Sequence, residues 1–263
     1  MGKLELTRRE SYTNALYQIE EFSTIGTCEM QEDTTGSGIA GNTSVMVLCD
    51  GIGGLERGEL ASKIAVDTIL KCAEEYVWKE RPIDFLQFLI EEANDAVFGL
   101  NDERGTPIQG GCTVVITLTI GRKLYWANVG DSRAYIIKQG EMQQLTRDHN
   151  YGELLRRQLE QEVITQEEYG ENIAKGAALT SYLGMGELKE WFVCREPILL
   201  DRDEVVLLES DGLYKLLDEE EIMQIVRRNV RSLDVVGEEL LLCAKKNVTN
   251  YQDNTSILLL RIK

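Results

Sequence analysis

Ser44-Val-Met-Val-Leu-Cys49-Asp50-Gly51-Ile52-Gly53-Gly54 is an apolar run that stops at a carboxylate and passes into a glycine-rich turn. A helical pattern over Gly58 to Tyr76 follows almost at once, with Leu60, Ala61, Ile64, Ala65, Thr68, Ile69 and Cys72 in one stripe. A strand that delivers an acid to its own end, beside backbone free to bend, suits a metal ligand. An isolated Asp-Gly is ordinarily just a turn. Here the arrangement recurs: Val205-Val-Leu-Leu-Glu-Ser210-Asp211-Gly212 is again an apolar strand that ends in Asp-Gly. Asp253-Asn254 then precedes the apolar run Ser256 to Leu260, so a third acid enters a strand rather than leaving one. In an antiparallel sheet the end of one strand lies beside the start of its neighbour. Asp50, Asp211 and Asp253 can therefore meet at one rim of the fold.

The intervening chain supports such a sheet. Thr113 to Ile120 alternates, with Val114, Ile116, Leu118 and Ile120 on one face. Gly121-Arg122 separates it from Leu124–Val129, and Gly130-Asp131 separates that from Ser132–Lys138. Two-residue turns with glycine first predict hairpins, hence an antiparallel meander with Asp131 at a hairpin tip. A second helix is expected over 84–99. Two more follow Val205–Gly212, one capped by Asp218 and one by Ser232. Gly36-Ser37-Gly38-Ile39-Ala40-Gly41 matches the glycine spacing of a dinucleotide loop. It precedes a strand instead of joining a strand to a helix, so it reads as a flexible loop. Residues 150–178 are polar and helix-prone, with Leu154, Leu155, Leu159 and Ile164 as the main apolar points. They read either as a flap over a site or as a helical pair covering a sheet edge.

Composition narrows the chemistry. The 263 residues suffice for one domain with a large core, and 43% are hydrophobic. A formal net charge of −17 argues against nucleic acid and against an anionic membrane surface. Phosphate remains accessible to an acidic protein if cations reverse the sign locally. The six cysteines include no C-x-x-C pair, which predicts reduced thiols in a cytoplasmic protein. The N-terminus has no apolar leader, and no run is long enough to span a membrane. His149 is the only histidine, so histidine-rich metal sites and serine–histidine–aspartate triads are poorly supported. Gathered carboxylates repel one another unless cations join them, and oxygen-only ligands select Mg²⁺ or Mn²⁺ over Zn²⁺.

With these residues in order, the chain resembles the metal-dependent protein serine/threonine phosphatases of the type 2C family, in a compact bacterial-like form. The resemblance rests on Gln31-Glu32-Asp33, Asp50-Gly51-Ile52-Gly53-Gly54, Gly111-Cys112-Thr113 and Asn128-Val-Gly-Asp131-Ser-Arg133. It continues through Leu145-Thr-Arg-Asp-His149, Leu179-Thr180 with Leu183-Gly184, Ser210-Asp211-Gly212 and Asp253-Asn254. It implies an α+β fold, a four-layer αββα sandwich of two antiparallel β-sheets flanked by helices, over a single domain spanning 1–263. It implies two Mn²⁺ or Mg²⁺ ions at one end. Asp50 matches the bridging ligand, with the Gly51 carbonyl beside it. Asp211 and Asp253 match ligands of the first ion, Glu32 and Asp33 the acidic pair near the second, and Asp131 a ligand of a third, weaker ion. Asp50 and Asp33 are the candidate catalytic residues.

The activity implied is hydrolysis of phosphoserine and phosphothreonine in proteins by a metal-activated water, with no phosphoenzyme. The implied partners are phosphorylated proteins, such as substrates of a bacterial serine/threonine kinase. Two departures stand out. Cys28 occupies the position where many members carry a phosphate-binding arginine, and Ile52 replaces the histidine of the eukaryotic D-G-H-G-G. The first motivates an alternative, a pseudophosphatase that scaffolds phosphoproteins without turnover.

Overall fold

The computed structural model describes residues 6, 8–53, 55–76, 79–102, 104–138 and 140–263. Gly54, the last glycine of the Asp50 motif, and all but Leu6 of the first seven residues lie outside them. The strands are β1 (Arg8–Thr13), β2 (Tyr17–Thr24), β3 (Asp33–Ala40), β4 (Thr43–Asp50), β5 (Val114–Ile120), β6 (Lys123–Val129), β7 (Arg133–Lys138), β8 (Glu141–Gln144), β9 (Phe192–Val193), β10 (Ile198–Leu199), β11 (Val205–Glu209) and β12 (Thr255–Ile262). The helices are α1 (Gly58–Glu75), α2 (Pro82–Phe98), α3 (Tyr151–Glu160), α4 (Gln166–Asn172), α5 (Asp211–Tyr214), α6 (Glu219–Asn229) and α7 (Leu233–Asn247). One sheet runs β1-β2-β12-β11-β7-β8. The other runs β10-β6-β5-β4-β3, with β9 also on β6. All pairings are antiparallel.

Burial on both faces explains why β11 and β12 read as unbroken apolar runs. Val206, Leu208, Leu258 and Leu260 enter the core shared with Met46 and Leu48 of the second sheet. Their alternates Val205, Leu207, Ile257 and Leu259 pack with Ile225 of α6 and Leu240 of α7. Helices α1 and α2 cover the other sheet, through β3, β4 and β6. The result is the expected αββα order. Each fully buried aliphatic side chain contributes roughly 1.5–3 kcal/mol of transfer free energy. Asp218 caps α6 in a reciprocal capping box with Glu221, while Ser232 precedes α7 without a side-chain cap bond. All six cysteines are free thiols. Among the described residues no helix is long and apolar enough to cross a membrane.

Two expectations are corrected. Residues 36–41 are not a flexible loop: Gly36 and Gly38 lie inside β3. Helix α1 crosses β3 so closely that a Cβ on Gly36 would stand 2.7 Å from Leu70 Cδ1 and 2.8 Å from Val66 Cγ1. The glycine is there for helix–sheet contact.

Nor is Gly130-Asp131 a hairpin tip. β6 and β7 belong to different sheets, because the edge of β6 away from β5 is taken by β9 and β10. The turn is the place where the chain crosses from one sheet to the other. Gly130 makes it with φ 92°. Its N–H donates to His149 Nδ1 (3.1 Å) and its carbonyl accepts from the His149 N–H (3.0 Å). Asn128 braces the same turn, its amide donating to the Arg147 carbonyl at 2.8 Å.

The close packing of α7 on β2 gives a test with an unusual sign. Gly237 lies in the middle of α7, where alanine ordinarily stabilises a helix by about 1 kcal/mol. A Cβ there would run into the buried ring of Phe22. Gly237→Ala is expected to destabilise the fold by roughly 1–3 kcal/mol in urea unfolding. A rise in stability would show that the ring yields freely.

Candidate active site

The acids singled out in the sequence sit at one end of the sandwich, contributed by both sheets. Asp33 begins β3 and Asp50 ends β4, and the two are register partners. Asp211 opens α5 directly after β11, and Asp253 precedes β12. Asp131 stands on the crossover between the sheets. Glu29, Glu32, Asp50, Asp131, Asp211 and Asp253 all line one cavity of about 920 Å³, together with Gly51 and, among the described residues, with no lysine, arginine or histidine. Ile52, Leu55, Met30 and Tyr182 supply its apolar wall. Asp33 lies just behind, 6% exposed.

The residues that fix these carboxylates come from motifs the sequence reading quoted without assigning a role. Thr113 clamps Asp50 from both sides: its N–H donates to the Asp50 carbonyl (2.8 Å) and its Oγ1 accepts from the Asp50 N–H (3.1 Å). Ser132, on the crossover, lies 2.6 Å from the same hydroxyl. Ser210 Oγ donates to Asp33 Oδ2 (2.8 Å) and accepts from the Ser256 N–H (3.0 Å), tying the first sheet to the second. Asn254 Oδ1 accepts from the Glu32 N–H (2.6 Å) and its amide donates to the Ile25 and Met30 carbonyls. That side chain holds the acidic loop against the start of β12. Asp131 Oδ2 accepts from Asn150 Nδ2 at 3.2 Å.

Crowding raises the acids' proton affinity. Burial first, then the charges of Asp33, Asp211, Asp131 and Asp253, hold Asp50 well above the usual carboxylate range. Burial pushes Asp33 up to about 7, against the Ser210 hydrogen bond, and Asp131 up to about 6. Asp211 is raised by burial, with Lys215 working the other way. Glu32 is raised by burial and then by Glu59 and Asp253. Asp33 Oδ1 is buried with no hydrogen-bond partner. Among the described residues no three acidic, histidine or cysteine side chains have closed into a ready ligand cage; the carboxylates ring the cavity instead. An oxygen-only donor set in a field this negative fits hard divalent cations of the Mg²⁺ and Mn²⁺ type.

The two departures also fall here. Cys28 lines the cavity, its Sγ 3.1 Å from Tyr251 Oη and 3.5 Å from Asp253 Oδ1. Among the described residues no cationic side chain lines the wall in place of the arginine. His149 is buried behind the crossover turn, where burial depresses its pKa, and it does not line the cavity.

Comparison with known proteins agrees with this geometry. The family model of protein phosphatase 2C matches residues 25–256. The serine/threonine phosphatase stp of Listeria monocytogenes is 28% identical over 223 residues, covering 83% of this chain and 84% of that protein. The crystal structure of the serine/threonine phosphatase Stp1 from Staphylococcus aureus superposes with a TM-score of 0.77 at 26% identity, over 99% of this chain and 100% of that one. The catalytic domain of the phosphatase PstP, solved with two manganese ions, shares the fold at 21% identity and a TM-score of 0.72, over 94% and 98% of the two chains. The chain belongs to the protein phosphatase 2C family. Its activity is the family's: metal-dependent hydrolysis of phosphoserine and phosphothreonine in proteins. Nothing in the comparisons favours a non-catalytic scaffold.

The raised carboxylates set a pH dependence. An acid whose folded pKa lies above its unfolded one binds more protons when folded, so stability falls as pH rises through that interval. For Asp33 the interval runs from the ordinary carboxylate value to about 7. His149 acts oppositely below its ordinary value, so the comparison belongs above it. In EDTA the protein is expected to melt lower at about pH 8.5 than at about pH 7. Mn²⁺ should remove most of that difference, and Asp33→Asn should flatten it. A melting temperature indifferent to pH in EDTA would contradict the crowding.

Proposed function

We propose that Asp50, Asp211, Asp253, Glu32 and the Gly51 carbonyl would hold two Mn²⁺ or Mg²⁺ ions in this cavity, with Asp33 supporting Asp50 from the neighbouring strand. The observation that carries the reading is the convergence of carboxylates from both sheets on one cavity whose wall, among the described residues, includes no basic side chain. Bound there, such ions supply an activated water near neutral pH and neutralise phosphoryl charge. The chain's own residues do the rest. Thr113, Ser132, Ser210 and Asn254 fix the acids without movement of the backbone, which keeps the geometry preorganised. Asp33 has one carboxylate oxygen committed to Ser210 and the other free of hydrogen bonds. It lies behind the cavity wall and bears on the site through Asp50, its register partner, whose proton affinity it raises. Ile52, which stands where the eukaryotic motif has histidine, carries no proton donor, and we assign protonation of the leaving seryl or threonyl oxygen to water.

Phosphorylated proteins are the substrates, and those of a bacterial serine/threonine kinase fit the reading. The segment 150–178 is proposed as the substrate flap. Its ends are zipped together: Asn150 bridges Leu179, the Tyr151 N–H donates to the Ala178 carbonyl, and the Gly152 N–H donates to the Gly176 carbonyl. Between them α3 and α4 pack mainly on each other, and Leu155 is the one buried side chain of the two helices. Ala177, Ala178 and Leu179 form part of the cavity wall.

Three measurements test this. Asp50→Asn and Asp211→Asn are each expected to reduce Mn²⁺-dependent phosphate release from a phosphothreonine peptide to background; activity kept by both variants sinks the assignment. Cys28→Arg is expected to lower the KM for that peptide by about 10-fold or more, the value of a bidentate guanidinium–phosphate contact. An unchanged KM would mean that phosphate is held elsewhere. Deletion of residues 156–174 should alter the choice among phosphopeptides more than hydrolysis of a small aryl phosphate, whereas equal loss on both makes the segment structural.

A further inference from the structure

The carboxylates on the Asp131 side of the site are already met by the chain's own cation. Lys215 follows Asp211 by one helical turn, and its Nζ donates to Asp211 Oδ2. It shares with Asp131, Asn150, Ala177 and Tyr214 a side cleft of about 340 Å³ that opens beside the main cavity. A second cation borders the same cleft. Arg133 lies 3.8 Å over the Tyr214 ring and is held there by Asp148, which accepts from its Nη2 at 2.6 Å. Asp131 is met by Asn150.

The resemblance to the family leads one to expect a third ion here, with Asp131 as a ligand. The residues present do not fit it. A divalent ion needs several oxygen donors. It would have to take Asp211 from an ammonium that reaches it intramolecularly, and would then lie against two fixed positive charges. We propose that Lys215 replaces the third ion: its ammonium supplies the positive charge between Asp211 and Asp131, and the site takes two metal ions and no third. The inference rests on the dinuclear reading above and adds a limit to it. Lys215 acts through Asp211 as a positioning residue. Its ammonium engages Asp211 Oδ2 and makes no hydrogen bond to the other oxygen.

Isothermal titration of the metal-depleted full chain with Mn²⁺, with bound metal counted by elemental analysis, tests the proposal without reference to turnover. The native protein is expected to saturate at two ions. Lys215→Asp, which exchanges the ammonium for an oxygen ligand, is expected to take a third, weaker one. Lys215→Gln, nearly isosteric and uncharged, guards against a folding defect in the aspartate variant. It too should admit a third ion, more weakly still. Three ions in the native protein overturn the lysine's role and leave the dinuclear site intact. So do two ions in both variants when their thermal melts match the native one. Fewer than two ions in the native protein overturn the dinuclear reading itself and the lysine's role with it.

Discussion

Electrostatic repulsion among the gathered carboxylates is the constraint on which the site depends. After burial itself, Asp33, Asp131, Asp211 and Asp253 all raise the proton affinity of Asp50, and Asp211 and Asp253 raise that of Asp33 as well. Left to themselves, exposed acids on mobile loops would move apart. Here each is anchored within a residue or two of a strand, and the strands are locked by apolar layers on both faces. The sandwich core therefore opposes the charge repulsion, and divalent ions relieve it. Hydroxyls and amides rather than arginines do the local holding: Thr113, Ser132, Ser210 and Asn254 orient the acids without neutralising them. An arginine in any of those places would have competed with metal.

The sequence was most informative where burial is strongest. β4, β11 and β12, buried on both faces, stand out as apolar runs that end or begin at an acid, and the helices α1, α2 and α6 follow from periodicity and capping. Legibility failed where local chemistry is ambiguous. β3 carries glycine and hydroxyl residues because α1 lies against it, and that composition looks like a loop. The two-residue strands β9 and β10 have no pattern to detect. At Gly130-Asp131 the turn residues suit a hairpin equally well. What decides otherwise is the occupation of the β6 edge by segments some 60–70 residues further on, a non-local fact.

The candidate site was legible in part for the same reason. Strand ends and the Asp-Gly repeat single out the acids, and the family motifs supply Glu32, Asp33 and Asp131. The clamp formed by Thr113 and Ser132 needs the crossover to exist before it can be seen. Lys215 gave no signal at all: it follows the Ser210-Asp211-Gly212 motif by three residues and reads as one more surface lysine. Only the short helix α5, which turns its side chain back onto Asp211, gives it a place in the site.

The crossover at Gly130 to Ser132 has a mechanical meaning. Asp33 and Asp50 ride on one sheet, Asp211 and Asp253 on the other, and Asp131 on the strap between them. The spacing of these carboxylates is thus a direct reading of how the two sheets are aligned, in the way a vernier reads the offset of two scales. A sliding of one layer over the other by less than a side-chain diameter would leave every hydrogen bond within each sheet intact. It would nonetheless pull the two halves of the carboxylate cluster out of register. Remote changes in the inter-sheet core, at positions such as Met46 or Leu208, reach the chemistry through that alignment and need no contact with the site.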